Sequence, residues 1–454
     1  MARYFLALIL FALALSLAEP HPDAPWRMAA AWADDDDDGR GDDDDDDDGP
    51  RVIRRQTPQV RQAPRRQQVQ QAPRRAVPAP PPPTRASDEI IARDLDSAAL
   101  ERLRDLGFTE LRHSDLAAGG SIHRLRKPGP MTLDQALEAL REITGAERAD
   151  FNHFYRGGAS SGAAGTCRGT DCPARQMIAW PALVACGAPL RIGMIDTGLN
   201  ASHASLADAD LTVHRLETDA APSGAVHGTA VAALFAGAQG TRAPGLVPHL
   251  PLLAVDAFHS ARADERADAF ALIEALDWLA AQQAAVVNLS LAGPDNRLLA
   301  EKIADMERRG ILLVAAAGNG GPAAGPAYPA AYDTVLAVTA VDRRGQVWRR
   351  AGRGPHIDIA APGVEVWTAA SISGARPKTG TSFAAPFVAS AAALILQAEP
   401  GLAPADLRAR LIADAEDLGT SGRDDIFGHG LLRPAAPCMA GEGGPVPGPA
   451  PAAL

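Results

Sequence analysis

Arg-Ile-Gly-Met-Ile-Asp-Thr-Gly, residues 191–198, is an apolar run that closes on a carboxylate, a hydroxyl and a glycine. It reads as a buried strand that delivers Asp196 at its carboxyl end. Two distant segments share its character, His-Gly-Thr-Ala-Val-Ala (227–232) and Gly-Thr-Ser-Phe-Ala-Ala-Pro (380–386). Together they supply Asp196, His227 and Ser382, in that order, each among small residues that let backbone approach backbone. A hydroxyl is a weak nucleophile at neutral pH. It needs a base within hydrogen-bond reach, and the base needs a carboxylate to hold its tautomer and stabilise the imidazolium. These three residue types can meet that chain of dependence.

A fourth segment lies between them. Ala-Ala-Ala-Gly-Asn-Gly (315–320) follows the apolar run Ile311–Val314. Asn319 therefore follows a strand and a glycine, which lets its amide project over a site at the sheet edge. Ser382 begins an apolar stretch, Phe383–Leu396, that reads as a buried helix, so the hydroxyl sits at the positive end of a helix dipole.

Three unrelated folds carry the same triad in three different orders, and a G-x-S-x-G elbow is absent at Ser382. With Asp first, then His, then Ser, residues 176–435 resemble the subtilisin-like serine peptidases (subtilases). The resemblance implies that Ser382 is the nucleophile, His227 the general base and Asp196 its orienting acid. It also implies that Asn319 and the Ser382 amide form the oxyanion hole, where one donor is typically worth about 10²–10³ in rate. Asn288-Leu289-Ser290-Leu291-Ala292-Gly293 resembles the family segment that pairs with bound peptide as an added strand, so Ser290, Leu291, Ala292 and Gly293 are expected to bind substrate. Ala327 precedes Tyr328-Pro329, like the residue at the base of the pocket before the scissile bond; the sequence does not decide whether that Tyr-Pro bond is cis. Ala360–Val364 and Phe427–Gly430 extend the resemblance. Phe383 and Phe387 depart from it, standing where Met and His are common, and read as packing changes. The resemblance implies no cofactor for catalysis. Many relatives bind structural calcium, but no ligands can be assigned to it in this sequence.

The chain has 454 residues, a hydrophobic fraction of 46% and a formal net charge of −11. The charge is misleading. Asp34–Asp38 and Asp42–Asp48 hold 12 of the 55 acidic residues, and setting them aside leaves 43 acids against 44 bases. The folded part is therefore near neutral, and no nucleic-acid partner is expected.

Arg3, the run Tyr4–Leu17 and the small residues Ser16-Leu17-Ala18 have the three parts of a secretory signal peptide over residues 1–18, with Ala31-Trp32-Ala33 allowing cleavage as late as 33. The run is shorter than the roughly 20 residues that a membrane span needs. Export to the periplasm, cell surface or medium follows. Residues 19–86, Asp-rich and then Arg/Gln/Pro-rich, cannot bury enough apolar surface to fold and read as disordered. Export favours disulfides among Cys167, Cys172, Cys186 and Cys438. Cys167 with Cys172 would close a small loop and leave Cys186 with Cys438, though three connectivities remain open.

Residues 87–156 read as strand, helix, two strands, helix, strand, with helices over Ser97–Leu106 and Thr132–Thr144 and a last strand at Ala149–Tyr155. That βαββαβ order is a small α+β ferredoxin-like unit. It resembles the pro-domain of many subtilases, which acts as an intramolecular inhibitor. Residues 157–175 read as a linker and a region for processing, and 436–454 as a Pro/Gly/Ala-rich tail. From 176 to 435, strands at Leu190–Ile195, Leu252–Val255, Ala285–Leu289, Ile311–Ala316 and Val335–Ala340 alternate with helices at Thr229–Ala238, Arg266–Gln282, Arg297–Arg309, Phe383–Gln397 and Pro404–Ala413. This is an α/β pattern, a mostly parallel sheet with helices on both faces. The expectation is a secreted serine endopeptidase made as a zymogen and acting on proteins or peptides. The rival is a non-catalytic cell-surface binding protein that retains the fold.

Overall fold

The computed structural model describes residues 81–158, 160–161, 172–182, 189–262 and 264–434. The segment expected to be a signal peptide, the Asp-rich and Arg-rich stretch up to residue 80 and the tail lie outside the described residues; the segment expected to be disordered as far as residue 86 ends earlier, because Arg85 and Ala86 already belong to a strand, Arg85–Arg93. So do Cys167, Cys186 and Cys438, and with them the expected pairings. Cys172 is buried and not free.

The N-terminal unit follows β1 (Arg85–Arg93), α1 (Ser97–Asp105), β2 (Thr109–Asp115), β3 (Ser121–Arg126), α2 (Leu133–Thr144) and β4 (Ala149–Tyr155). Its helices start where capping chemistry dictates. Asp96 Oδ1 accepts the Ala99 amide at 2.7 Å. Thr132 and Gln135 satisfy each other's backbone amides in a capping box. The leucines expected to face inward do so: Leu103, Leu137 and Leu140 are buried with Ile90, Phe108 and Leu125. The strand order is β2-β3-β1-β4, all antiparallel.

The larger part is built on a seven-stranded sheet in the order Ile359–Pro362, Val335–Val341, Leu312–Ala316, Ala284–Leu289, Arg191–Asp196, Leu252–Asp256, Leu211–Arg215. Every neighbouring pair is parallel. Successive side chains enter different cores. Ile192, Met194, Leu312 and Val314 join one apolar cluster, while Ile195, Leu313 and Ala315 join the cluster on the opposite face. Burial on both faces accounts for apolar runs without a polar alternation. Val226–Ala236 and Thr381–Ala398 pack in the first cluster, Ala269–Ala281 and Arg297–Arg308 in the second. Among the described residues Thr381–Ala398 is long and apolar enough to cross a membrane, but 94% of it is buried as the central core helix.

The helix expected to begin at Arg266 begins at Ala269, and Asp268 caps it by accepting the Ala271 amide. The residues before it form the strand Asp264–Asp268. Its pairing continues the small unit's sheet: Ala267 opposes Tyr155 and Asp268 opposes Phe154 in antiparallel register, and His259–Ala261 and Ala221–Pro222 follow. The N-terminal unit thus adds its last strand to the larger part.

Candidate active site

Asp196 is the last residue of its strand, and Asn319 and Ser290 stand just beyond the carboxyl ends of theirs. His227 and Ser382 are the second residues of the helices Val226–Ala236 and Thr381–Ala398. All therefore gather outside one edge of the parallel sheet, where sites in open α/β sheets lie. The helix of His227 crosses the loop after Asp196 closely. A side chain at Gly228 would overlap the carbonyl oxygens of Thr197 and Gly198, so the residue after the histidine is glycine.

His227 Nδ1 lies 2.7 Å from Asp196 Oδ1, and Asp196 Oδ1 also accepts the Thr197 amide at 2.7 Å. Asp196 and His227 are only 2% and 9% exposed, which shields this pair of interactions from water, and Ser382 is 1% exposed. Ser382 Oγ donates to Gly158 O and to Ser290 O, at 3.2 Å each. His227 Nε2 is buried with no partner among the described residues. Ser382 Oγ and His227 Nε2 therefore make no hydrogen bond to each other here.

The carbonyl oxygen of Gly158 also accepts Asn319 Nδ2 at 2.9 Å. That amide is aimed by Thr381, whose backbone N–H and Oγ1 donate to Asn319 Oδ1 at 3.1 and 2.8 Å. Ser290 Oγ donates to the Ser382 carbonyl at 2.7 Å and accepts Asn288 Nδ2 at 2.9 Å. One peptide carbonyl of the chain itself therefore sits between Ser382 and Asn319.

The chain leading to that carbonyl lies as an added strand. Arg156 and Ala292 exchange both backbone hydrogen bonds, at 2.9 Å each, while Tyr155 pairs with Ala267 on the other side. Gly293 abuts Tyr155, whose Oη donates to Pro294 O at 3.0 Å, and Leu291 is buried beneath. Gly157 lies against the His227 ring: a methyl there would stand 3.4 Å from Nε2. A side chain at Gly158 would overlap Asn319 Nδ2. Beyond the site, Ser160–Ser161 pairs antiparallel with Lys378–Thr379. Ala327 borders Gly318 opposite Ala292, and the Tyr328–Pro329 bond is cis. Phe383 and Phe387 pack, the first 5.4 Å from the His227 ring and the second edge-on to Trp180.

Sequence reading missed several contributors. Asp256 faces Asp196 in register on the next strand and accepts Ser223 Oγ at 3.0 Å, while Ser223 Oγ accepts the Gly198 amide at 2.8 Å. Burial raises the Asp256 carboxyl above its usual range, against the lowering effect of Ser223 and Arg215. Thr381 and Gly158 carried no separate signal, because their roles arise from contacts between distant segments. Among the described residues no group of three or more His, Cys, Asp or Glu side chains converges to hold a metal ion.

The subtilase family model matches residues 187–430, more than half of the chain. The chain is 34% identical over 255 residues to subtilisin DY of Bacillus licheniformis, covering 54% of this chain and 89% of that protein. It is 31% identical over 252 residues to subtilisin BL of Lederbergia lenta, covering 55% and 91%. Fervidolysin from Fervidobacterium pennivorans, a keratinolytic enzyme related to subtilisin, superposes with a TM-score of 0.65 over 77% of this chain and 60% of its own; at 19% identity that likeness speaks to the fold. With the family model spanning all four segments that carry Asp196, His227, Asn319 and Ser382, the chain belongs to the subtilase family and is a subtilisin-like serine endopeptidase.

Proposed function

We propose that the enzyme is exported as a zymogen and cuts its own chain after Gly158 before acting on other proteins. The observation that carries this reading is the Gly158 carbonyl oxygen, held by Asn319 Nδ2 at 2.9 Å and touched by Ser382 Oγ at 3.2 Å. In the reaction Ser382 Oγ attacks the Gly158 carbonyl carbon, and His227 Nε2 takes the hydroxyl proton. Asp196 holds the imidazole by its Nδ1 and stabilises the cation that forms. Asn319 and the Ser382 amide receive the charge that develops on oxygen. His227 then gives the proton to the amide nitrogen of the following residue, and the C–N bond breaks. Water, deprotonated by the same histidine, releases the acyl group as the Gly158 carboxylate. The same groups act on a protein substrate laid along Ser290–Gly293, with the side chain before the scissile bond directed toward Ala327. Until it dissociates, the N-terminal unit inhibits by occupying that strand position. No cofactor takes part, and disulfides within the exported chain fit the four cysteines.

The test is covalent labelling. A fluorophosphonate should label the mature wild-type enzyme on Ser382 and abolish peptide hydrolysis. Ser382→Ala should be neither labelled nor active. Full hydrolysis by Ser382→Ala would overturn the assignment.

A further inference from the structure

The side chain of Arg156, the third residue before the bond that follows Gly158, is gripped by one acidic residue of the larger part. Arg156 Nε lies 2.6 Å from Asp264 Oδ1, and Arg156 Nη2 lies 2.7 Å from Asp264 Oδ2. This fork-to-fork pairing is the geometry that distinguishes arginine from lysine at a carboxylate. Both side chains are largely shielded, at 24% and 22% exposed. Asp264 is not free to turn away. Its strand is fixed by pairing with His259–Ala261 on one side and with Tyr155 on the other. Arg266 Nη1 also reaches Asp264 Oδ2 at 3.0 Å, while its guanidinium stacks 3.7 Å above the Phe154 ring. One oxygen thus serves two cations, and Oδ1 answers to Arg156. Residue 156 exchanges both backbone hydrogen bonds with Ala292, and Tyr155 before it pairs with Ala267, so the register of the bound strand carries Arg156 alongside Arg266, and its guanidinium reaches Asp264 two residues further along that strand.

We propose that Asp264 is a specificity-determining residue that selects arginine at the third position before the scissile bond, in substrates as well as in the enzyme's own chain. The inference rests on the reading of Gly158 as the residue preceding the cut. The carboxyl of Asp264 is held below its usual range, chiefly by the hydrogen bonds from Arg156 with burial opposing, so it stays charged across the neutral range in which the peptidase would work.

The experiment is a comparison of quenched fluorescent peptides spanning Phe154–Ser161 of the chain, with the third position before the cut as arginine, glutamine or glutamate. For the mature wild-type enzyme, kcat/KM should be about tenfold higher for arginine than for glutamine, as expected for a charge-assisted pair that is partly shielded, and glutamate should be poorest. Added salt should shrink the difference. In Asp264→Asn the three rates should fall within about twofold of one another, the general scale of an exposed polar contact. Equal rates for arginine and glutamine in the wild type, or an unchanged arginine preference in Asp264→Asn, would overturn this inference while leaving the endopeptidase reading intact. Failure of the wild type to cleave any of the peptides after the second glycine would overturn both. The wild-type comparison stands by itself if the variant does not fold. A role of Asp264 confined to docking the N-terminal unit would not make hydrolysis depend on the peptide's third residue.

Discussion

At the scale of single residues, the proposed chemistry turns on Asn319 and the glycine it touches. In the proposed oxyanion hole Asn319 acts on charge that appears as the reaction proceeds, so Asn319→Ala should lower kcat by about 10²–10³ with little change in KM. A raised KM with unchanged kcat in steady-state kinetics would make it a ground-state binding residue. Gly158 has no room for a side chain beside Asn319 Nδ2. Gly158→Ala should therefore displace the carbonyl and slow self-cleavage by roughly 10²-fold, the scale of a small misplacement at a reacting centre. The half-time for appearance of the shortened chain measures it, and an unchanged half-time would contradict the pose. Asp196, His227, Ser382 and Asn319 were legible in the sequence because each sits in its own short, recognisable context. Asp256, Thr381 and Asp264 were not. Each works through a partner contributed by a distant segment of the chain, and nothing local marks them.

At the scale of elements, local chemistry set most boundaries. Thr132 and Gln135 mark the start of α2, and the alternation of Ile192, Met194 and Ile195 between two cores marks a central strand. Where the reading failed, pairing had overridden composition. Asp-Glu-Arg-Ala-Asp, 264–268, has few strand-forming residues and looks like the first turn of the helix that follows. It is a strand because Tyr155 and His259–Ala261 pair with it. Leu211–Arg215 and Ile359–Pro362, the two outer strands of the parallel sheet, went unread for a related reason: they are short, and only the sheet beside them defines them. The N-terminal unit carries an acid-sensitive tie across its own strands. Glu89 on β1 takes Arg124 Nε and Nη2 from β3 at 2.7 and 2.8 Å and Asn152 Nδ2 from β4 at 3.0 Å. Burial alone would raise its carboxyl, but the Arg124 and Asn152 bonds outweigh burial and hold it below its ordinary value of 4.5. A lowered carboxyl binds fewer protons folded than unfolded, so its contribution to stability is present above that ordinary value. It is lost as pH falls through the lower folded one. Glu89→Gln should be less stable than wild type at neutral pH, and the gap should narrow on acidification below about 4.5. Denaturant melts at a series of pH values measure this; a gap that widens toward acid would contradict the sign.

At the scale of the whole molecule, one strand joins two units. The sheet of the small unit runs on through Tyr155 into Asp264–Asp268, and the chain then passes Arg156 at Ala292, Gly157 at His227 and Gly158 at Ser382 and Asn319. In the proposed function this one segment is both the first substrate and, once cut, the inhibitor. That link is tested most directly by intact-mass and N-terminal analysis of the purified wild type and of Ser382→Ala, each made from the full chain. The expected result is a wild-type product beginning at Ala159 and a Ser382→Ala chain still carrying residues 81–158. A Ser382→Ala chain cut at the same bond, or a fully active wild type still joined through residues 158 and 159, would contradict it.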